Sequence, residues 1–355
     1  MFFEYFLAFL ISCALVYFLT PLVRHIAFLR GIVDYPSEPR KIHSSPVPLL
    51  GGWAVYAGFA FTVLLWLIFS KVSFGYFIHL PYFAGILLGG AILCVGGYLD
   101  DKYHLPPYYS IIAPLLAVLV VIVFGVQLSY INNPFGGVIL LDAVKFLDYP
   151  VFGGVFVFVW ILGMIYTTKF LDGMDGLVSG VSGIGALAIF FVSLLPQVGQ
   201  SDTALLAIIF AGAILGFLPW NFHPAKIFLG EGGSTLAGFM VGVLAVISGG
   251  KIATALLVMG IPILDAAWVI IRRLFSHYSP FQPDRKHLHF RLLDVGLSQR
   301  QAVLFLYFLV AAFGACAIYL QSLGKVMALG ILLVVMLILG GVLVYSYKKK
   351  VKNEK

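Results

Sequence analysis

Charge is scarce in this 355-residue chain: Asp, Glu, Lys and Arg together make up 10% of it, against about 25% in a soluble domain. With 61% hydrophobic residues and a mean hydropathy of +1.04, that shortage excludes an ordinary soluble protein and points to an integral membrane protein with many spans. Cysteine is nearly absent. Cys13, Cys94 and Cys316 each lie inside an apolar run with no Cys-x-x-Cys spacing, which excludes a disulfide framework and a thiolate zinc site. No basic stripe interleaved with aromatics occurs, so the net charge of +7 does not indicate nucleic acid. The first apolar run has neither a basic leader nor a small-residue cleavage site, and reads as a retained span rather than a signal peptide.

What the chain has is long apolar runs. Eleven are long enough, or nearly so, to cross a bilayer: residues 2–23, 51–70, 82–99, 108–126, 151–169, 177–195, 203–219, 233–249, 251–271, 302–320 and 325–346. The pattern predicts an all-α integral membrane protein, a polytopic helical bundle forming one multi-span domain over residues 1–346, followed by a basic tail at 347–355. The charges sort by side. Of the 22 Lys and Arg, only Lys71, Lys145, Lys251 and Lys325 fall in one set of loops; the other 18 fall in the alternate set and the tail. That asymmetry predicts a cytoplasmic C-terminus and an N-terminus outside.

Acidic residues contribute little to orientation, yet five gather on the predicted cytoplasmic side. Asp100 and Asp101 stand where the third run meets a short polar loop. Asp172 and Asp175, in Lys169-Phe-Leu-Asp172-Gly-Met-Asp175-Gly, are read as opening a helix, where i/i+3 spacing puts both carboxylates on one side of the first turn; capping that helix is the plainer role for Asp175. Glu231 stands among Gly230, Gly232 and Gly233, just before Ser234. These glycines bring backbone N–H groups together at a helix start, a phosphate-receiving geometry, or else merely permit a tight turn. Hard oxygen ligands beside such amides suit Mg²⁺ holding a diphosphate. His287 and His289, flanked by Arg285, Lys286 and Arg291, suit an anionic substrate on the same face; a zinc site finds no Cys or third nearby His. Asp265, inside the ninth run, is a functional candidate by default, or a partner of Arg272 or Arg273. His43, His104, His223 and His277 taken alone read as interfacial or structural.

In this order the blocks resemble the polyprenyl-phosphate N-acetylhexosamine-1-phosphate transferase family. The matching blocks are Pro36-x-x-Pro39-Arg40-Lys41-x-His43-x-x-Pro46-x-Pro48-x-x-Gly51-Gly52, then Asp100-Asp101 with Leu105, Asp172-Gly-x-Asp175-Gly-Leu177, Gly230-Glu231-x-Gly233-Ser234, and Pro283-Asp284-Arg285-x-His287-Leu288-His289. The resemblance implies transfer of a sugar-1-phosphate, GlcNAc or a related N-acetylhexosamine, from a UDP-N-acetylhexosamine to a polyprenyl (undecaprenyl) phosphate with release of UMP. That is the first membrane step of cell-envelope glycan synthesis, at the cytoplasmic face of the plasma membrane. It implies Mg²⁺, or Mn²⁺ in its place, held by Glu231, Asp101 and Asp172, and catalytic roles for Asp100 and Asp101. It implies substrate contacts from Lys41, His43, Lys169, Asp172, Asp175, Gly233, Ser234, Arg285, His287, His289 and Arg291. The bilayer is a partner, and homodimerisation is left open. The chain departs from the family at Lys169, where Asn is usual, at Glu231, where Asp is usual, and at Phe290, where His is usual. A lysine common in the second block is replaced near Tyr109 or Ser110. Lys169 could then contact phosphate directly or occupy cation space. A non-catalytic homologue and a lipid-linked-sugar transporter are the alternatives, though transporters place their charges near the midplane.

Overall fold

The computed structural model describes residues 2–36, 45–69, 80–133, 136–146, 149–249, 251–275 and 287–353. Lys41, His43 and Arg285 lie outside them. The regular structure of the described chain is helical apart from three short antiparallel hairpins. In order it comprises α1 (Phe2–Leu29), β1 (Val33–Asp34), β2 (Val47–Pro48), α2 (Gly51–Phe69), α3 (Leu80–Tyr103), α4 (Pro107–Ser110) and α5 (Ile112–Val123). Strands β3 (Tyr130–Asn132), β4 (Val138–Leu140), β5 (Lys145–Phe146) and β6 (Tyr149–Pro150) follow. Then come α6 (Val151–Leu171), α7 (Leu177–Leu194), α8 (Ser201–Asn221), α9 (Gly230–Ile247), α10 (Ile252–Val258), α11 (Gly260–Phe275), α12 (Leu288–Val295), α13 (Gln299–Tyr319) and α14 (Ser322–Asn353).

Among the described residues nine helices are long and apolar enough to cross a membrane, or ten if the bent pair α10–α11 is one span. Two of the eleven predicted runs are therefore not plain spans, and proline explains both. Pro114 has no N–H for the Ser110 carbonyl, and the fourth run breaks there into α4 and α5. Together α4 and α5 form one shorter apolar helical stretch, Pro107–Val123, about 25 Å long against a hydrocarbon core of about 30 Å. Pro262 likewise has no N–H for the Val258 carbonyl, where α10 ends; α11 leaves at 76° to it. The basic tail also differs from expectation: α14 continues as helix to Asn353 rather than stopping at 346.

The bundle is organised around α9, which is buried on nearly all sides, with α7 and α8 next to it. By contrast α1 and α14 present most of their apolar surface outward, including Phe18, Leu22, Leu337 and Ile338, as lipid-facing helices do. Without a hydrophobic drive between helices in lipid, close approach of backbones holds such bundles together, and small residues permit it. Here α9 meets α6 at Gly238, where an added Cβ would lie 2.3 Å from the Met164 carbonyl. It meets α3 where Gly97 faces Gly232, and α2 where Gly52 faces Gly233. These contacts bring the C-terminal ends of α3 and α6 and the N-terminal end of α9 to one end of the bundle.

Candidate active site

Asp100 and Asp101 are not in a loop: α3 continues through Tyr103, so both sit in its last turn. Successive helical residues diverge by about 100°, and the two carboxylates take different partners. Asp100 accepts from the Leu105 N–H at 3.0 Å and the Ser110 hydroxyl at 2.6 Å, which ties down the segment leading into α4. Asp101 turns toward α9 and accepts from the Glu231 N–H with both oxygens, at 3.1 and 3.2 Å. A carboxylate at that position satisfies an orphan donor and meets the positive end of the helix dipole.

That contact corrects the reading of the glycine block as a phosphate cradle. The N-terminus of α9 is already met by Asp101. Gly233 is buried against Gly52, whose Cα would lie 2.8 Å from an added Cβ, and buried Ser234 turns its hydroxyl back to the Glu231 carbonyl at 3.2 Å. The glycines serve helix packing. Neither Gly233 nor Ser234 offers a surface to substrate.

Lys169, in the last turn of α6, forms an ion pair with Glu231 and donates to the Ser110 hydroxyl at 3.1 Å. Both side chains of the pair are about a quarter exposed or less. A chain of contacts therefore runs from Asp100 through Ser110 and Lys169 to Glu231, and through its N–H to Asp101. The ammonium occupies cation space among the carboxylates. Ser110 is a site residue that the sequence marked only as a replacement for a lysine. The structure brings the cation back to that hydroxyl from α6.

Asp172 and Asp175 do not open a helix. They lie in the turn between α6 and α7, whose first residue, Leu177, follows Gly176 at φ +81°. Asp175 accepts from the Ala225 N–H at 3.1 Å and pairs with His223 Nδ1 at 2.7 Å. It therefore anchors the α8–α9 connection rather than capping α7. Tyr307 on α13 donates to the Gly176 carbonyl, holding the turn from the other side. The Asp172 side chain makes no hydrogen bond or ion pair among the described residues. Crowding by surrounding protein, then the negative charges of Glu231 and Asp175, pushes its pKa up to about 7. One side of the residue is open to solvent, which screens both effects.

The histidines join this turn from 115 residues away in sequence. His289 is buried with its Nε2 over Gly173, where an added Cβ would lie 2.4 Å from it. Both of its ring nitrogens lack a hydrogen-bond partner among the described residues. Burial pushes its pKa down to about 4, with Asp265 opposing. Phe290 lies beside it, ring centroids 4.4 Å apart. His287 pairs through Nδ1 with Asp265 Oδ2 at 2.9 Å. Asp265 is thus a partner of histidine. Arg291 is half-buried on α12 beside this group.

The structure brings together Asp100, Asp101, Lys169, Asp172, Glu231, His287 and His289. Asp175, Gly233 and Ser234 support the site from behind. Among the described residues no three His, Cys, Asp or Glu side chains converge as a ready-made metal cage.

Carboxylates, a lysine and two histidines thus meet at one end of a helical bundle whose long apolar helices are those of a membrane protein. Residues 83–249 match the model of glycosyl transferase family 4. The chain is 36% identical to a decaprenyl-phosphate N-acetylglucosaminephosphotransferase of Mycolicibacterium smegmatis, over 93% of this chain and 86% of the relative. It is 32% identical to a probable undecaprenyl-phosphate N-acetylglucosaminyl 1-phosphate transferase of Bacillus subtilis, over 89% and 84%. It is 30% identical to the undecaprenyl-phosphate alpha-N-acetylglucosaminyl 1-phosphate transferase of Escherichia coli K12, over 83% and 79%. The chain belongs to the polyprenyl-phosphate N-acetylglucosamine-1-phosphate transferase family.

Proposed function

We propose that this protein transfers N-acetylglucosamine-1-phosphate from UDP-N-acetylglucosamine to a polyprenyl phosphate and releases UMP. The relatives carry that chemistry in their names. The observation that carries it to this chain is the meeting of Asp100, Asp101, Lys169, Asp172 and Glu231 at one end of the bundle. The positive-inside count supports eleven membrane passages, an N-terminus outside and a cytoplasmic C-terminus, with the site at the cytoplasmic face of the plasma membrane. The lipid tail then stays in the bilayer while its phosphate meets the site.

Four carboxylates with one lysine among them leave a surplus of negative charge, and the donor set is all hard oxygen, which fits Mg²⁺ or Mn²⁺. Magnesium is commonly held by one or two carboxylates plus substrate phosphates rather than by a protein cage, so three converging side chains are not required. Glu231 and Asp172 would hold it together with the substrate phosphates, Asp101 being engaged by the Glu231 N–H, and it would supply charge neutralisation on the diphosphate. The chain's own residues do the rest. Lys169 and His287 bind phosphate oxygens of the donor. Asp100 and Asp101 set the relative positions of α3, α9 and the Ser110 segment, and so the path of the lipid phosphate. An oxygen of that phosphate attacks the β-phosphorus in line; the bond to the α-phosphate oxygen breaks, and UMP departs with the electron pair. A phosphate dianion near neutral pH is already nucleophilic. The oxygens of Asp100 and Asp101 are engaged by N–H and O–H donors, which favours this direct displacement over an aspartyl-phosphate.

The test is UMP release by the purified protein from UDP-N-acetylglucosamine, other UDP-N-acetylhexosamines and polyprenyl phosphate, with Mg²⁺ added or chelated. Release dependent on both substrates supports the proposal. UDP-sugar binding without UMP would instead identify a non-catalytic homologue, and lipid-linked sugar movement without UMP a transporter.

A further inference from the structure

Three chain segments converge on one imidazole. Asp265, on α11, is buried, and a carboxylate at membrane depth is costly to keep there. Its Oδ2 meets His287 Nδ1 at 2.9 Å, and its Oδ1 accepts the Leu288 N–H at 2.8 Å. Because an ionised carboxylate only accepts, Nδ1 carries a hydrogen, and Nε2 carries one as well only when the ring is protonated. One face of the ring lies over Phe170 of α6, centroids 6.3 Å apart and planes at 27°. The His289 ring stacks on it at 5.5 Å and 10°. His287 makes no side-chain cap for α12. Asp265 supplies the missing acceptor from another helix, and so fixes both the start of α12 and the ring. Nε2 is left as the ring nitrogen without a partner among the described residues.

We propose that Asp265 is a positioning residue for the donor substrate: it holds His287 on α12 so that Nε2, which takes up a proton on meeting the anion, points its N–H at a phosphate oxygen of the nucleotide-sugar diphosphate. The inference rests on the function proposed above and adds a residue to it. Asp265 touches neither substrate nor the reacting atoms and acts through His287. A carboxylate behind the ring balances the positive charge that Nε2–H acquires on meeting a phosphate, as carboxylate–histidine pairs do elsewhere. The two neighbouring donors, His287 Nδ1–H and Leu288 N–H, need two acceptors. Asn at 265 would provide one and would turn an N–H toward the other.

The experiment is a double-mutant cycle with Asp265→Asn and His287→Gln, read by steady-state kinetics in UDP-N-acetylglucosamine and by calorimetric titration with UDP. Each single variant is expected to raise KM and weaken UDP binding by about tenfold to a hundredfold, the cost typical of losing a partner behind a histidine. In the His287→Gln background, Asp265→Asn should change either quantity by less than about twofold, since contacts that act as one unit do not add. Multiplying effects would overturn the proposal, because a merely structural role does not pass through His287. So would Asp265→Asn with unchanged KM and UDP affinity. If Asp265→Asn does not accumulate in membranes, Asp265→Glu keeps the charge, moves it by one methylene, and must show the same dependence on His287. Absence of UMP release by the wild type would defeat the proposed function but not this inference, which the UDP titrations then judge alone.

Discussion

Gly97→Ala tests the claim that glycine packing, rather than glycine-lined phosphate binding, builds this site. Gly97 lies one turn before Asp101 on α3, at the i/i+4 spacing that puts both on one face, and that face meets α9. A Cβ at 97 would lie 2.1 Å from the Gly232 nitrogen and 2.2 Å from its Cα. Ordinary contact begins near 3.4 Å, so the two backbones must part by roughly 1.3 Å, and neither is a flexible side-chain end that can swing away. Carried to the next turn, that shift stretches the 3.1 and 3.2 Å bonds from Glu231 N–H to Asp101 beyond hydrogen-bonding range. Overpacking costs about 1–3 kcal/mol, and losing a hydrogen bond to a charged group about 1.5–3 kcal/mol. A loss of about 3–5 kcal/mol in stability follows. A displacement near 1 Å also costs on the order of a hundredfold in rate. The assays are thermal melting in detergent and UMP release at saturating substrates. Gly163→Ala on α6, where nothing lies within 4 Å, serves as the control and should match the wild type. Gly97→Ala that keeps a third or more of the activity and melts within about 1 °C of wild type would refute the reasoning.

Lys169→Asn removes the ammonium between Glu231 and Ser110. It should lower stability by about 1–3 kcal/mol, less than for a fully buried pair because both side chains are partly open to water, and cut transfer at least tenfold. It should also tighten Mn²⁺ binding measured by electron paramagnetic resonance; unchanged affinity would show that the lysine does not share cation space. His289 has a pKa near 4 in the fold against 6.5 unfolded. The unfolded chain therefore binds a proton that the folded one does not between those values. Its contribution is complete above pH 6.5 and declines by roughly 3 kcal/mol as pH falls through 4, so the melting temperature of His289→Phe should fall less with acid than that of wild type. Asp100→Asn should lower UMP release by orders of magnitude while membrane insertion stays normal; near-normal release would remove Asp100 from the mechanism.

Local chemistry determined much of this protein without reference to tertiary structure. Apolar length alone marks the runs that become α1, α3, α6 and α14, because a segment in lipid must satisfy its own backbone hydrogen bonds. The expense of carboxylates among such runs singled out Asp100, Asp101, Asp172 and Glu231. The family's blocks lie in the chain in order, and the relatives bear out the transferase class they implied. Partner choice was not legible in the same way. Two adjacent aspartates diverge because a helix turns between them. Asp175 goes to His223, and Asp265 takes His287, 22 positions further along the chain. Gly232 and Gly233 spend their small size on α2 and α3. Sequence spacing constrains neighbours within a turn or two, whereas these contacts join residues from 22 positions apart (Asp265 and His287) to 181 (Gly52 and Gly233). They depend on how closely separate helices approach, a distance that only the packed bundle sets.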